Sequence, residues 1–559
     1  MKTINYLFIG LFLFLSVNMQ AQKQLNNNTY VNQRELEPFD LSNMDWINAF
    51  DSLHAIMEER YPFTEWKGID WEQKSSLIRP KIQIAQNETD TFRYCEALFE
   101  YVYSIPDGHV YLSGNYGLYK NARLGGSFGL NMIPITDGKI IANIVPENGP
   151  AYLAGIRCGD EILSWNGIPI QDIPEIEVYN YYNYATTDGR LLSRYQILSR
   201  DSVGVVISLE YISRETGVQQ TTTLTSENDG FELFIQAHFL TAEPIINLDT
   251  LVFYETLDNQ IGYLRILGEL TEGNPMTIEE IRQTKVYLAV QEALTYFQSQ
   301  SIDKLIIDLR FNVGGHDLLG SAISGFFMSD TVFYEYLTGT SDENYAIMIA
   351  IMTEPETPYF DGDVVAMVGP NCLSTGEGIP MIIRSLPNAQ VISFWGTNGS
   401  FGLTGYHILM PDNINIASPC ARSLNEDMVI QLDSDSTLAG GVQPDIKIPL
   451  TVERVIEQWQ EGKDVELEYA KSVLLDIPEI SNDHGFILFP NPASSIIHLK
   501  YSSIKPISIQ IVDISGRPLK RIENFTTDQE IDISDLKTGL YFVYIINNQK
   551  HIVGKLLIK

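Results

Sequence analysis

Apolar positions fall three and four apart through the stretch from about Ser42 to Tyr103. Asp45-Trp-Ile-Asn-Ala-Phe-Asp-Ser-Leu-His-Ala-Ile-Met places them on one face, and Cys95-Glu-Ala-Leu-Phe-Glu-Tyr-Val-Tyr repeats the pattern. That period predicts amphipathic helices, and the Pro and Gly of Ser104-Ile-Pro-Asp-Gly-His109 predict where they stop. From Gly125 to about Leu224 the runs shorten into predicted strands: Gly125-Gly-Ser-Phe-Gly-Leu-Asn-Met-Ile, Lys139-Ile-Ile-Ala-Asn-Ile-Val, Val205-Val-Ile-Ser-Leu-Glu-Tyr and Gln220-Thr-Thr-Thr-Leu. Between them, Tyr179 to Arg200 is rich in Tyr and Asn and reads as an insertion. From roughly Asn259 to Leu450, continuous apolar runs (Gly262-Tyr-Leu-Arg-Ile, Leu305-Ile-Ile-Asp-Leu, Val364-Val-Ala-Met-Val, Val391-Ile-Ser-Phe) alternate with helical stretches such as Val286-Tyr-Leu-Ala-Val-Gln-Glu-Ala-Leu-Thr-Tyr-Phe. Such alternation predicts an α/β domain, its strands covered on both faces.

At 559 residues the chain exceeds what one core organises, so several domains are expected. The formal charge of -34 argues against nucleic acid or an anionic membrane surface as partner. Lys2, the apolar run from Tyr6 to Val17 and Met19-Gln-Ala21 fit a cleaved signal peptide, being too short to cross a bilayer, and no later segment is apolar enough to span one. Cys95, Cys158, Cys372 and Cys420 include no Cys-x-x-Cys pair, and the histidines show no His-Glu-x-x-His spacing. Neither a metal site nor a cofactor is expected. After a linker around Asp476 to His484 the charge balance reverses, with more Lys and Arg than Asp and Glu from Phe486 to Lys559.

Two stretches carry candidate chemistry. Leu305-Ile-Ile-Asp-Leu-Arg-Phe-Asn-Val-Gly-Gly315 reads as a buried strand ending in a glycine loop that permits close backbone approach. Asn371-Cys-Leu-Ser-Thr-Gly-Glu-Gly378 puts Ser374 between an apolar strand and a helix. A serine hydroxyl there can act as a nucleophile if a base takes its proton and N–H donors hold the oxyanion. The same Ser374-Thr-Gly-Glu377 is also a capping box, with Ser as N-cap and Glu at N3.

The segment Gly149-Pro-Ala-Tyr-Leu-Ala-Gly-Ile-Arg-Cys-Gly-Asp-Glu-Ile-Leu-Ser-Trp-Asn-Gly167 resembles a PDZ domain, and the resemblance implies that Gly126, Ser127, Phe128 and Gly129 form a peptide-binding loop. A purely structural spacer is the alternative. Phe489-Pro-Asn-Pro-Ala, the Ser515-Gly516 turn, Gly539-Leu-Tyr-Phe-Val-Tyr-Ile-Ile and the basic end resemble the C-terminal sorting domain of the type IX secretion system of Bacteroidetes. Asp308-Leu-Arg-Phe-Asn-Val-Gly-Gly315, Ser374-x-x-Glu377 and Gly441-Val-Gln-Pro-Asp-Ile446 resemble the C-terminal processing (tail-specific) and tricorn-core serine peptidases. One type in that family carries a lysine base in a Thr-x-Gly-Lys-Gly run; the corresponding Gly396-Thr-Asn-Gly-Ser-Phe-Gly402 has none. The tricorn-like type takes a histidine from the N-terminal part, and Asp107-Gly-His109 supplies it.

The resemblance therefore implies Ser374 as nucleophile, His109 as base, Gly314 or Gly315 with Thr375 as oxyanion hole, and Glu377 or Asp107 as supporting carboxylate. Where the tricorn type has a glutamate before the closing motif and a serine before the histidine, this chain has Leu438 and Gly108. The implied architecture is multidomain α/β: signal peptide (1–21), N-terminal helical domain (22–121), PDZ β-sandwich or barrel (122–228), ClpP/crotonase-like α/β peptidase core (229–470), linker (471–485) and an all-β sorting domain (486–559). The implied function is a secreted or surface-attached serine endopeptidase acting on peptides or unfolded proteins and exported by the type IX machinery. The alternative is a catalytically weak homologue acting as a peptide-binding or ligand-carrier module.

Overall fold

The structure is a computed structural model describing residues 36–115, 117–173, 183–239, 251–273, 275–476, 486–489, 493, 495–501, 507–512, 517–525, 530–547 and 550–558. The expected signal peptide lies outside these residues. The chain divides into two compact units, Met1–Leu474 and Leu475–Lys559.

Three helices follow the predicted apolar period: α1 (Trp46–Arg60), α2 (Trp71–Glu88) and α3 (Thr91–Tyr103). Each opens on an aspartate, Asp45, Asp70 and Asp90, whose carboxylate accepts the N–H three residues on, from Asn48, Gln73 and Arg93. Such caps contribute about 1 kcal/mol each. Their buried face, including Phe50, Leu53, Tyr94 and Leu98, shares one core with Ile408, Met410, Ile414 and Ile416 of the α/β region. Strands cross the expected boundary too. β1 (Phe39–Asp40) and β2 (Tyr111–Gly114) flank a distant hairpin, Leu403–Met410 and Ile414–Ala421, in one sheet. The loop bearing His109 is thereby tied to the core.

The PDZ region contains β3 (Gly126–Ser127), β4 (Asn131–Pro134), β5 (Ile140–Ile144), β6 (Glu161–Trp165), β7 (Arg200–Asp201), β8 (Val206–Ile212), β9 (Gln219–Thr225) and β10 (Glu227–Asn228). The main sheet runs β9-β8-β6-β5-β4, leaving β4 at its edge, while β3 lies between β10 and β7 in a separate ribbon. The described part of the expected insertion is regular structure: Thr187–Leu198 forms α4, which lies against β4. Helix α5 (Glu232–Phe239) also touches β4.

The core sheet runs β11 (Val252–Leu257), β12 (Ile261–Ile266), β13 (Lys304–Asp308), then Asp363–Met367, Ala389–Ser393 and Ile446–Lys447. All pairs are parallel except β11 with β12. Leu305, Ile306, Ile307, Val365 and Ala366 are fully buried, as a parallel sheet covered by helices requires. Helices α6 (Lys285–Ser299), α7 (Asp317–Gly325) and α8 (Thr375–Ile383) contribute to the core, and α9 (Val465–Asp476) runs into the segment expected as linker. Loops at the carboxyl ends of parallel strands are the usual place for a site. Both motif loops lie there. The second unit is all β, with Ile497, Ile509, Ile511, Phe525, Val543 and Leu556 in its core.

Candidate active site

Ser374 follows the strand Asp363–Met367 through a short turn and occupies the N-cap position of α8 with φ 56° and ψ -141°. A non-glycine residue held there costs about 1–3 kcal/mol. The capping alternative does not hold: the Ser374 side chain makes no cap hydrogen bond, and Glu377 turns elsewhere. The Glu377 carboxylate accepts the N–H groups of Gly399 at 2.8 Å and Ser400 at 2.9 Å. It organises the loop that carries lysine in the other peptidase type. Burial pushes its carboxyl up to about 7 against the opposing pull of Thr397, Gly399 and Ser400.

The glycine loop meets Ser374 directly. Gly314 has φ +80°, and a Cβ there would lie 2.6 Å from the Ser374 Cβ, so only glycine fits. Its N–H donates to Asn312 Oδ1 at 2.9 Å, and Asn312 Nδ2 donates to Glu269 Oε1 at 2.7 Å. A Cβ on Gly315 would strike Glu269 O at 2.3 Å. The N–H groups of Gly315 and Thr375 have no hydrogen-bond acceptor among the described residues. Thr375 Oγ1 joins the two segments, lying 3.0 Å from Gly315 O and 2.5 Å from Asp317 Oδ1. The rest of the motif is an anchor: buried Arg310 bonds Asp308 at 2.7 Å, Asp464 at 2.7 Å and Glu466 at 3.3 Å.

His109 is buried on the loop between α3 and β2. Its N–H donates to Asp107 Oδ1 at 2.9 Å, its Nδ1 lies 3.8 Å from the same oxygen, and Tyr61 donates to Asp107 Oδ2 at 2.7 Å. Neither ring nitrogen has a hydrogen-bond partner among the described residues. Burial holds the imidazole below its ordinary value, Asp107 opposing and Lys67 reinforcing the effect. It is therefore neutral at pH 7, the form a base needs.

Ser400 connects the two halves. Its Oγ accepts the Gly108 N–H at 2.7 Å and donates to Asn398 Oδ1 at 2.8 Å, while its carbonyl accepts the Ser374 N–H at 2.8 Å. A Cβ on Gly108 would lie 2.7 Å from Asn398 Oδ1 and 3.2 Å from Ser400 Oγ. A Cβ at 108 would displace the Asn398 side chain, and the opposite loop supplies a hydroxyl beside that position.

Sequence reasoning missed Ser400, Lys67 and Asp433. Leu438 is half-buried; its carbonyl accepts the Thr187 N–H at 3.2 Å and its N–H donates to Asp435 O at 3.0 Å. Five residues earlier, buried Asp433 accepts the Phe401 N–H at 3.2 Å through Oδ1, and its Oδ2 has no partner among the described residues. Burial raises the Asp433 carboxyl well above the usual range, Lys67 opposes this, and Asp107 and Glu377 add to it. Lys67 Nζ donates to Pro106 O and Ser434 Oγ, both at 3.0 Å. The available signal was an acidic residue inside a polar run just before the closing motif.

The expected PDZ loop is placed differently from an open receptor. Gly126, Ser127, Phe128 and Gly129 are all buried, and β3 is paired on both sides. No cluster able to hold a metal ion occurs among the described residues, and no described helix is long and apolar enough to cross a membrane.

Family models match three segments: peptidase family S41 at residues 260–448, PDZ domain at 143–178 and secretion system C-terminal sorting domain at 487–559. No curated protein matches the chain. Among solved structures, mature CPAF complexed with lactacystin is 14% identical with TM-score 0.54, covering 77% of this chain and 97% of that one. Mature CPAF without it is also 14% identical with TM-score 0.54, over 77% and 96%. The photosystem II D1 C-terminal processing protease is 15% identical with TM-score 0.37, over 75% and 98%. At these identities the likeness to CPAF shows the fold. The sequence expectation of a PDZ module, an α/β peptidase core and a sorting domain is borne out, and the chain is a peptidase whose residues 260–448 match the model of peptidase family S41.

Proposed function

We propose that this chain is an exported serine endopeptidase in which Ser374 is the nucleophile and His109 the general base. The observation that carries this reading is a strained serine, its hydroxyl not spent on helix capping, beside two open N–H donors and tied through Ser400 to the loop of a neutral histidine. His109 takes the proton from Ser374 Oγ as the oxygen bonds to the scissile carbonyl carbon. The oxyanion is held by the N–H groups of Gly315 and Thr375, while Gly314, its own N–H given to Asn312, makes room for Ser374. Collapse breaks the C–N bond, His109 protonates the leaving amine, and water then releases the acyl group by the same steps reversed in role. A base contributes roughly 10²–10⁴ in rate, and one oxyanion donor about 2.7–4 kcal/mol.

Asp107, its Oδ1 3.8 Å from Nδ1, is the carboxylate best placed to orient His109, and Glu377 shapes the loop that joins the halves. Substrates are peptides or unfolded proteins. The sorting-domain match supports export by the type IX machinery, to the medium or the cell surface. The test compares digestion of a denatured protein by wild type, Ser374→Ala and His109→Ala, with labelling by a serine-directed phosphonate. Activity surviving Ser374→Ala would sink the proposal. The imidazole without a hydrogen bond favours one second reading, a weakly active peptide-binding homologue. Stoichiometric labelling of Ser374 would remove it.

A further inference from the structure

A receptor for a peptide C-terminus needs a loop whose backbone N–H groups point, without partners, at the carboxylate. In this chain the loop is committed to its own domain. Gly126 and Ser127 pair with Asp201 and Arg200 of β7 on one side and with Asn228 and Glu227 of β10 on the other. The Phe128 N–H donates to Ser199 O at 3.1 Å, and the Gly129 N–H donates to Ser127 Oγ at 3.1 Å.

The glycines fit the same account. A Cβ on Gly126 would lie 2.9 Å from Asp201 O and 3.0 Å from both Ser202 O and Ser226 Cβ, so this glycine serves the close approach of neighbouring strands. Gly129 has φ +75°, and its Cβ would lie 2.7 Å from Pro150 Cδ. The neighbouring cation offers no counter-charge, because Arg200 bonds Asp229 at 2.6 and 3.0 Å and Leu124 O at 2.8 Å. The edge strand that would pair with an incoming peptide, β4, is buried at all four residues, with α4 and α5 against it. Opening the loop means breaking the hydrogen bonds of the Phe128 and Gly129 N–H groups and the ladder of β3 with β7, while the incoming carboxylate is desolvated.

We infer that this peptidase does not read a substrate's C-terminal carboxylate and instead selects internal stretches of an unfolded chain. The inference rests on the peptidase reading of Ser374 and narrows its substrate class. Recognition then depends on residues flanking the scissile bond.

The experiment uses the full chain and one internally quenched peptide prepared as free acid, as C-terminal amide and as a backbone-cyclised ring. The three are expected to be cleaved with kcat/KM within about twofold, less than the tenfold that 1.4 kcal/mol of carboxylate binding represents. Loss of about tenfold or more on amidation overturns the inference. A second arm keeps it separate from the catalytic reading. Fluorescence anisotropy with the Ser374→Ala chain compares acid and amide forms of a labelled peptide, and hydrogen exchange follows residues 126–129. Protected amides and no acid-dependent binding support the inference even if Ser374 proves inert. Fast exchange there, or binding of the acid form alone, overturns it even if Ser374 is the nucleophile.

Discussion

Ser400→Ala tests whether the two halves of the site are held together as the geometry implies. The substitution removes one hydroxyl and leaves the Gly108 N–H and Asn398 Oδ1 without their partners, bonds of 2.7 and 2.8 Å. A buried polar group left unsatisfied costs about 1–3 kcal/mol. Gly108 is only half-buried, so water can replace part of its loss, and the sum expected is about 2 kcal/mol of stability. The kinetic effect is larger in kind, because the Gly108 bond fixes the residue next to His109. A displacement of roughly 1 Å at a reacting group can cost on the order of 10²-fold in rate.

The expected result is therefore a fall in kcat of about that size with little change in KM, and slower phosphonate labelling of Ser374. Ser321→Ala is the control: this buried hydroxyl donates to Met352 O at 3.1 Å, and its loss should lower the melting temperature while leaving kcat intact. If Ser400→Ala keeps full kcat while melting like the control, Ser400 does not position the histidine loop. Gly108→Ser should be worse than Ser400→Ala, since its Cβ would press on Asn398 Oδ1 at 2.7 Å.

Thr375→Val keeps shape but removes the hydroxyl between Gly315 O and Asp317. Steady-state kinetics should show kcat falling at least about tenfold, short of the full 10²–10³ for a deleted oxyanion donor, with Thr375→Ser restoring it. Glu269 is buried, and burial pushes its carboxyl up to about 7, above the ordinary 4.5. The folded state thus holds a proton that the unfolded state releases, and stability is lost as pH rises from about 4.5 to 7. Glu269→Gln does not titrate, so its melting temperature relative to wild type should climb between pH 5 and 8, by a free energy on the order of 3 kcal/mol at most; a pH-independent difference would refute this. A chain ending at Leu474 should keep peptidase activity, because the second unit begins there. One ending at Gln460 loses Asp464 and Glu466, leaves Arg310 buried against Asp308 alone, and should be destabilised by about 3–5 kcal/mol in a denaturant titration.

How much of this was legible in the sequence depended on the range of the interactions. The helices were readable because capping aspartates and the apolar period act within a few residues of themselves. The parallel strands were readable because burial on both faces leaves continuous apolar runs. The closing of the PDZ loop was not, since Gly126 is glycine both in an open receptor and in a strand squeezed between two others. Only the partners decide, and Asp201 and Asn228 lie 75 and 102 residues away in sequence. Within the stretch expected as an insertion, helix α4 (Thr187–Leu198) lies against β4, a contact that no local period announces.

The candidate site follows the same logic at closer range. Ser374 and Glu377 look like a capping box because both readings require a hydroxyl at a helix start and a carboxylate one turn on. The structure separates them through φ: at 56° Ser374 aims away from the helix N–H groups, and Glu377 is released to bind Gly399 and Ser400. That second contact bears on the departure at Gly108. Glu377 fixes the loop, the loop presents the Ser400 hydroxyl to Gly108, and Gly108 leaves Asn398 the space it occupies. Burial pushes the Asp433 and Glu377 carboxyls toward the neutral form with Lys67 opposing in both, and Asp107 accepts the His109 backbone N–H and the Tyr61 hydroxyl. In the proposed mechanism the positive charge that His109 gains from the Ser374 proton faces Asp107 Oδ1, 3.8 Å from Nδ1, and an opposite charge at that range favours the charged imidazole.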